Sequence, residues 1–405
     1  MKKDAARFVV LAFALMGVIT ILVMWKKHDR ASALEELQER YQADVIDTGD
    51  EMTIGCASER LVDLVDFAGV VARAGQPAIL DLTGAPNLET LKGVEKLLGL
   101  ESLVAIDCPK LFSAEGVERH AGLRELVFVD SRNFADASAI RGLPKLETLD
   151  LSGCEALTAL SVDELPALEN LYLSRCRNLS SVDVSPFSGL KQLNLDGCGA
   201  VTAIVGLNRL TELTDLDLSN ATLLESIEGI SGLSSLIVLD IRNVELDDFS
   251  EIGKLSSLRV LRMGGQTTLE TLEPFSGLPE LREIHLEACP NFRSVQGIPA
   301  SVSQYAGFTH CPKLTSLDGI QAAKGLEQLY VTGSENLESI KPLSALKNMV
   351  QLSLISCRKV NDLAPILELE KLVIVMLGGS GVVPAATKDL KTANKEIIFD
   401  FAVPE

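Results

Sequence analysis

The sequence predicts an α/β solenoid: one short strand per repeat, stacked into a parallel sheet, with loops and 3₁₀ turns on the opposite side. Three observations predict it. The chain has 405 residues, 47% hydrophobic but only 4% aromatic, and about one residue in six is Leu. Such a core is built from slim aliphatic side chains, well beyond ordinary Leu usage. An apolar frame recurs at a fixed spacing along most of the chain. Seven of the eight Cys fall at one position of that frame. Length alone would suggest two or three globular domains; the repetition replaces them with one elongated domain behind an apolar N-terminal segment.

The strands come first. LETLDLSGC begins at Leu146, LENLYLSRC at Leu168, LKQLNLDGC at Leu190 and LTDLDLSNA at Leu213. The frame is L-x-x-L-x-L-x-x-C, followed by x-x-L-x-x-[LIV]. It also starts at Pro77, Leu100, Leu123, Leu236, Leu258, Leu281, Ser303, Leu326, Met349 and Leu372. The mean period is about 22.7 residues, short for a repeat protein. Leu149 and Leu151 are two apart and share one strand face, which leaves Asp150 on the other. Apolar residues then recur in steps of three, as at Leu157 and Leu160, a spacing suited to a 3₁₀ turn rather than a long helix. Each repeat buries its face only by stacking on its neighbours.

On these residues the chain resembles the leucine-rich repeat family over residues 77–383, about 14 repeats. Units of the LETLDLSGC type are most similar to bacterial internalin repeats. The CEALTAL and CRNLSSV continuations also resemble the cysteine-bearing repeats of plant resistance receptors. The resemblance implies a horseshoe with a concave parallel β-sheet and a loop or 3₁₀ convex face.

A stacked core needs covered ends. Residues 57–76 carry Leu61, Leu64, Val65, Phe67 and Val71 near helical spacing and read as an N-terminal helical cap. Residues 384–405, with PAATKDLKTANK and IIFDF, read as the C-terminal cap. Residues 31–56, with ALEELQERYQAD, read as a solvated juxtamembrane segment.

Residues 1–30 read as a transmembrane anchor. Phe8 to Trp25 is uncharged, and about 18 residues give roughly 27 Å of helix, enough to cross a bilayer core. Trp25, Lys26 and Lys27 form an interfacial anchor. A cleaved signal peptide is the alternative, with a small-residue triplet at Ala31 to Ala33, but the basic approach through Lys26, Lys27 and Arg30 is poor for cleavage. The flanking positive charges tie: Lys2, Lys3 and Arg7 against Lys26, Lys27 and Arg30. The short basic tail is easier to retain than to translocate, so the expected topology is single-pass with the bulk outside the cytoplasm, periplasmic or at the cell surface.

Charge excludes one class of partner. Lys plus Arg is 37 and Asp plus Glu is 56, for a net charge of −19. Phosphate backbones repel such a chain, so no nucleic-acid partner is expected. No P-loop, G-x-S-x-G or H-E-x-x-H motif occurs, so the expectation is no enzyme, no small-molecule substrate, no cofactor, no metal and no catalytic residue.

The cysteine column comprises Cys108, Cys154, Cys176, Cys198, Cys289, Cys311 and Cys357; elsewhere it holds Ala85, Ser131, Ala221, Val244, Gln266, Ser334 and Ser380. It reads as a buried structural ladder in which Cys is a small hydrophobe and weak donor. No paired C-x₂-C spacing suits zinc, and parallel Cβ vectors disfavour bridges between neighbours.

The outward strand positions hold the candidate binding residues: Tyr172, Asn194, Asp217, Asp240, Arg242, Arg262, His285 and Tyr330. Tyr and Arg are frequent interface anchors. Val104, Ile106, Val127 and Val129 make a second, apolar patch. The expected function is a membrane-tethered protein that binds a protein or peptide through its concave face. The alternatives are an inhibitor or immunity-type protein neutralising an enzyme at the membrane, and a cytoplasm-facing scaffold if the topology is reversed.

Overall fold

The computed structural model describes residues 23–118, 120–162, 165–387 and 397–402. It divides into two compact units, Met1–Leu157 with Ser161–Leu168, and Thr158–Leu160 with Glu169–Glu405.

The first unit opens with helix α1, described over residues 23–41. An antiparallel hairpin follows, β1 (Asp44–Asp47) and β2 (Met52–Gly55), then helix α2 (Val65–Ala74). Four repeat strands complete it: β3 (Ile79–Asp81), β4 (Ser102–Val104), β5 (Glu125–Val127) and β6 (Thr148–Asp150). Strands β2 to β6 pair in parallel, each with the next.

The segment 31–56 differs from a solvated juxtamembrane helix. Ala33, Leu37 and Tyr41 are buried on one stripe of α1, as a step of four places them. Tyr41 meets Phe67 of α2 edge-on, with ring centroids 5.0 Å apart. Arg73 reaches back to Glu36 and Asp29, and the Arg30 Nε donates to the Ala74 carbonyl at 2.7 Å. The polar surface of ALEELQERY hides three buried apolar residues, enough for a packed helix. Helix α2 begins only at Val65, because the Leu64 N–H bonds the Lys92 carbonyl and ties residues before it to the first repeat. The apolar span read at residues 8–25 lies outside the described residues except for Val23 to Trp25. Among the described residues, no helix is long and apolar enough to cross a membrane.

The second unit contains β7 (Asn170–Tyr172), β9 (Gln192–Asn194), β11 (Asp215–Asp217), β12 (Val238–Arg242), β13 (Val260–Gly264), β14 (Glu283–Glu287), β15 (Tyr305–Thr309), β16 (Gln328–Tyr330), β17 (Gln351–Ser353) and β18 (Ile374–Met376). They pair in parallel in that order, and β19 (Ile398–Asp400) closes the row against β18. A small parallel pair, β8 (Ser181–Asp183) with β10 (Ala203–Val205), runs apart from this sheet. Behind the strands the chain returns through 3₁₀ turns such as Leu207–Arg209, directly after β10, and Ile320–Ala322, as the three-residue apolar step suggests. The helical PAATKDLKTANK reading lies mostly outside the described residues; Pro384–Thr387 forms a 3₁₀ turn.

Each of the fourteen sequence frames carries a strand two residues after its start. Between strand and ladder position every frame has one residue with positive φ, Gly in six and a side-chain-bearing residue in eight. There the chain leaves the strand sharply. At Gly153 (φ 75°) a Cβ would sit 2.2 Å from the Asp130 carboxylate, so any side chain there would have to displace Asp130, and Gly avoids both that clash and the cost of positive φ.

Just past that turn lie the cysteines. Cys108, Cys154, Cys176, Cys198, Cys289, Cys311 and Cys357 are fully buried and free. Four of the thiols donate to carbonyls of the preceding repeat: Cys108 to Leu82 at 3.2 Å, Cys154 to Phe128 at 3.3 Å, Cys198 to Leu173 at 3.0 Å and Cys357 to Val331 at 2.7 Å; Cys289 and Cys311 instead turn to Glu287 and Thr309 of their own strands, each at 3.5 Å. Ser131 makes the same cross-repeat bond to Ala105, and Ser334 to Phe308. Burial pushes the thiols of Cys198, Cys311 and Cys357 up to about 12, which keeps them protonated donors rather than nucleophiles.

Candidate functional site

Seven of the eight sequence-derived candidates lie on one line of the open sheet face in the second unit. The strand register sets Tyr172 beside Asn194, then Asp217, Asp240, Arg262, His285, Gly307 and Tyr330. Arg242 lies one outward position further along β12, beside Gly264. Side chains on adjacent parallel strands stand about 4.8 Å apart, so neighbours on this line touch.

Several of these residues have work inside the fold. Asn194 Oδ1 accepts the Asp196 N–H, Asp217 Oδ1 the Ser219 N–H, and Asp240 Oδ1 the Arg242 N–H, at 2.9, 2.9 and 3.1 Å. Each is an Asx turn that fixes the strand exit. Asp240 is only 4% exposed, and the Arg242 guanidinium lies back over it, with Nη2 to Oδ2 at 2.7 Å. The Tyr172 hydroxyl donates to Gln192. Burial raises the carboxyl of Asp217 above the usual range, the Ser219 bonds oppose that, and Asp240 and Asp196 add to it.

Arg262 differs from all of these. Among the described residues its guanidinium has no hydrogen bond and no ion pair, while it borders His285. It lines a cavity of about 250 Å³ together with Tyr172, Asn194, Asp217 and Asp240 among others. His285 Nε2 lies 3.3 Å from a Glu283 carboxylate oxygen. Burial holds the His285 imidazole below its usual pKa; Glu283 opposes this and Arg262 adds to it.

Beyond His285 the face becomes aromatic, by a residue that the sequence columns missed. Tyr305 sits two positions before Gly307 on β15 and is not among the outward residues singled out from the sequence. Its ring folds across Gly307, where an added Cβ would meet it at 2.7 Å. It therefore fills the gap in the line. Tyr305 stacks on His285 (centroids 4.2 Å, 18°) and on Tyr330 (5.2 Å, 28°). The signal in the sequence was a Gly in an otherwise bulky column, with Tyr two residues earlier. In the first unit, Val104, Ile106, Val127 and Val129 are half-buried on the corresponding face.

No protein-family model matches this chain, and no curated protein matches it. Solved structures do. A leucine-rich repeat protein of Leptospira interrogans is 21% identical with a TM-score of 0.58, over 82% of this chain and 80% of that one. An internalin of Listeria monocytogenes is 16% identical with a TM-score of 0.54, over 85% and 93%. TLR13, solved in complex with ssRNA13, is 16% identical with a TM-score of 0.53, over 84% of this chain but 56% of that one. At these identities the likeness establishes architecture: the fold of this chain is a leucine-rich repeat solenoid of parallel strands with few helices.

Proposed function

We propose that this chain is a membrane-tethered recognition protein that binds a protein or peptide partner on the open sheet face of its second unit, outside the cytoplasm. The observation that carries this reading is the contrast along one line of side chains. Asp217, Asp240 and Arg242 are held by the fold, whereas Arg262 is unpaired beside the stacked rings of His285, Tyr305 and Tyr330. Rigid rings next to a free guanidinium are what interface anchors consist of. The bordering cavity, about 250 Å³, falls short of the roughly 300–1,000 Å³ of small-molecule sites, which favours a side chain as occupant. A net charge of −19 argues against an RNA ligand of the kind bound by TLR13.

The test is quantitative capture with the full chain and with a triple variant, Arg262→Gln, Tyr305→Ala and Tyr330→Ala. Partners retained by the parent and lost by the folded variant support the reading; equal retention refutes it. The tether and topology rest on the uncharged Phe8 to Trp25 run. A membrane-impermeant protease applied to intact cells or, for a periplasmic domain, to spheroplasts should degrade the repeat region, and full protection in both would reverse the topology.

A further inference from the structure

Resting on that reading, we propose that Arg262 is the anchor for a carboxylate of the partner, and that the Tyr305–Tyr330 pair seats an apolar or aromatic side chain about three residues away in the same extended segment. Arg262 is a planar five-donor fork, matched in geometry by a carboxylate. The nearby acids are already engaged. Asp240 is chelated by Arg242, Glu283 lies against His285, and Asp196 accepts from Ser219 and Asn220. Asp217 is held by the Ser219 N–H and hydroxyl at 2.9 and 2.6 Å. No acid of the described chain reaches Arg262, and the cavity beside it is open to one supplied from outside. A partner carboxylate there replaces the hydration of a half-buried guanidinium with a bidentate pair.

The spacing follows from the sheet. Arg262 is on β13 and Tyr305 on β15, two strands on, or about 9.6 Å. An extended peptide advances about 3.3 Å per residue, so a segment crossing the strands meets the rings about three residues from its carboxylate. The rings are locked by stacking and by the Gly307 slot, so little side-chain entropy is lost on binding. The occupant is thus an acidic–apolar segment of another protein. Its carboxylate comes from an Asp or Glu side chain or from a chain terminus.

The test uses the full chain and short fluorescein-labelled peptides followed by anisotropy. One series carries Glu-x-x-Phe within amidated, acetylated peptides. Its controls carry Gln-x-x-Phe or Lys-x-x-Phe, and a further peptide places a free C-terminal carboxylate three residues from Phe. The Glu peptide or the free-terminus peptide should bind about tenfold tighter than the Gln peptide, and whichever leads identifies the carboxylate source. Arg262→Gln should erase that difference, and Arg262→Lys should restore part of it. Tighter binding of the Lys peptide, an acid–amide difference that survives Arg262→Gln, or no binding of either acid peptide overturns the proposal. If Tyr305→Ala weakens peptide binding while Arg262→Gln does not, the recognition face stands and the carboxylate anchor falls. If no face variant changes binding, both fall.

Discussion

Two columns of the same repeats behave in opposite ways. The ladder column, behind the strands, is nearly uniform: small residues, full burial, and one recurrent bond from Cys or Ser to a neighbouring repeat. The face column, on the same frames, changes at almost every strand, from Tyr172 through Asp240 and Arg262 to Gly307 and Tyr330. Stacking dictates the first column, because each side chain must fit against its equivalent in the next repeat. The second is free of that demand, so its variation records a requirement from outside the stack. The cysteines, prominent in the sequence, are thus the least informative residues about function.

Several substitutions test how sharply that division holds. The largest effect is expected inside the ladder. Cys198→Asp should cost about 3 kcal/mol or more, since it buries a charge where only one carbonyl waits. Cys198→Ser, copying Ser131 and Ser334, should stay within about 1 kcal/mol. Urea unfolding followed by circular dichroism separates the two. On the face, Arg242→Ala should cost about 1–2 kcal/mol by leaving the buried Asp240 carboxylate without its guanidinium. Arg262→Ala should fall within about 0.5 kcal/mol and act on partner affinity instead. Equal stability losses at Arg242 and Arg262 would erase the distinction between a residue held by the fold and one left for a partner.

Asp217 gives a pH signature. Burial raises its folded pKa above the unfolded value. Its protonated form therefore contributes stability that is present at low pH and lost as pH rises through the folded value. Asp217→Asn should be neutral to stabilising near pH 7, with the gain fading toward about pH 4. Paired urea titrations at the two pH values measure it, and a gain that grows on acidification would contradict the sign. A comparably small effect belongs to the turn between the columns. Ala288 has φ 52° with a Cβ, so Ala288→Gly should raise stability by about 0.5–1 kcal/mol, read as a higher urea midpoint.

Much of the fold was legible because a period is a redundant signal. Fourteen frames each place a strand, so an error in one is corrected by its neighbours. The ends were harder, since a cap occurs once. The packed α1 was read as solvated because Ala33, Leu37 and Tyr41 are spread among charged residues. The site was legible in position but not in role. Alternation put Asp217 and Asp240 on the open face, but the bonds that occupy them depend on the backbone two residues later. Tyr305 escaped because its ring crosses to a neighbouring position, which only the absent side chain of Gly307 permits.

The central claim is that the face line of the second unit, and not its opposite side, meets the partner. Hydroxyl-radical footprinting of the full chain with and without its captured partner tests this directly. His285, Tyr305 and Tyr330 should be protected on binding, while Val205 and Leu223, exposed at 53% and 56%, should oxidise at unchanged rates. Protection of Val205 and Leu223 with unchanged oxidation of the three rings would contradict the account.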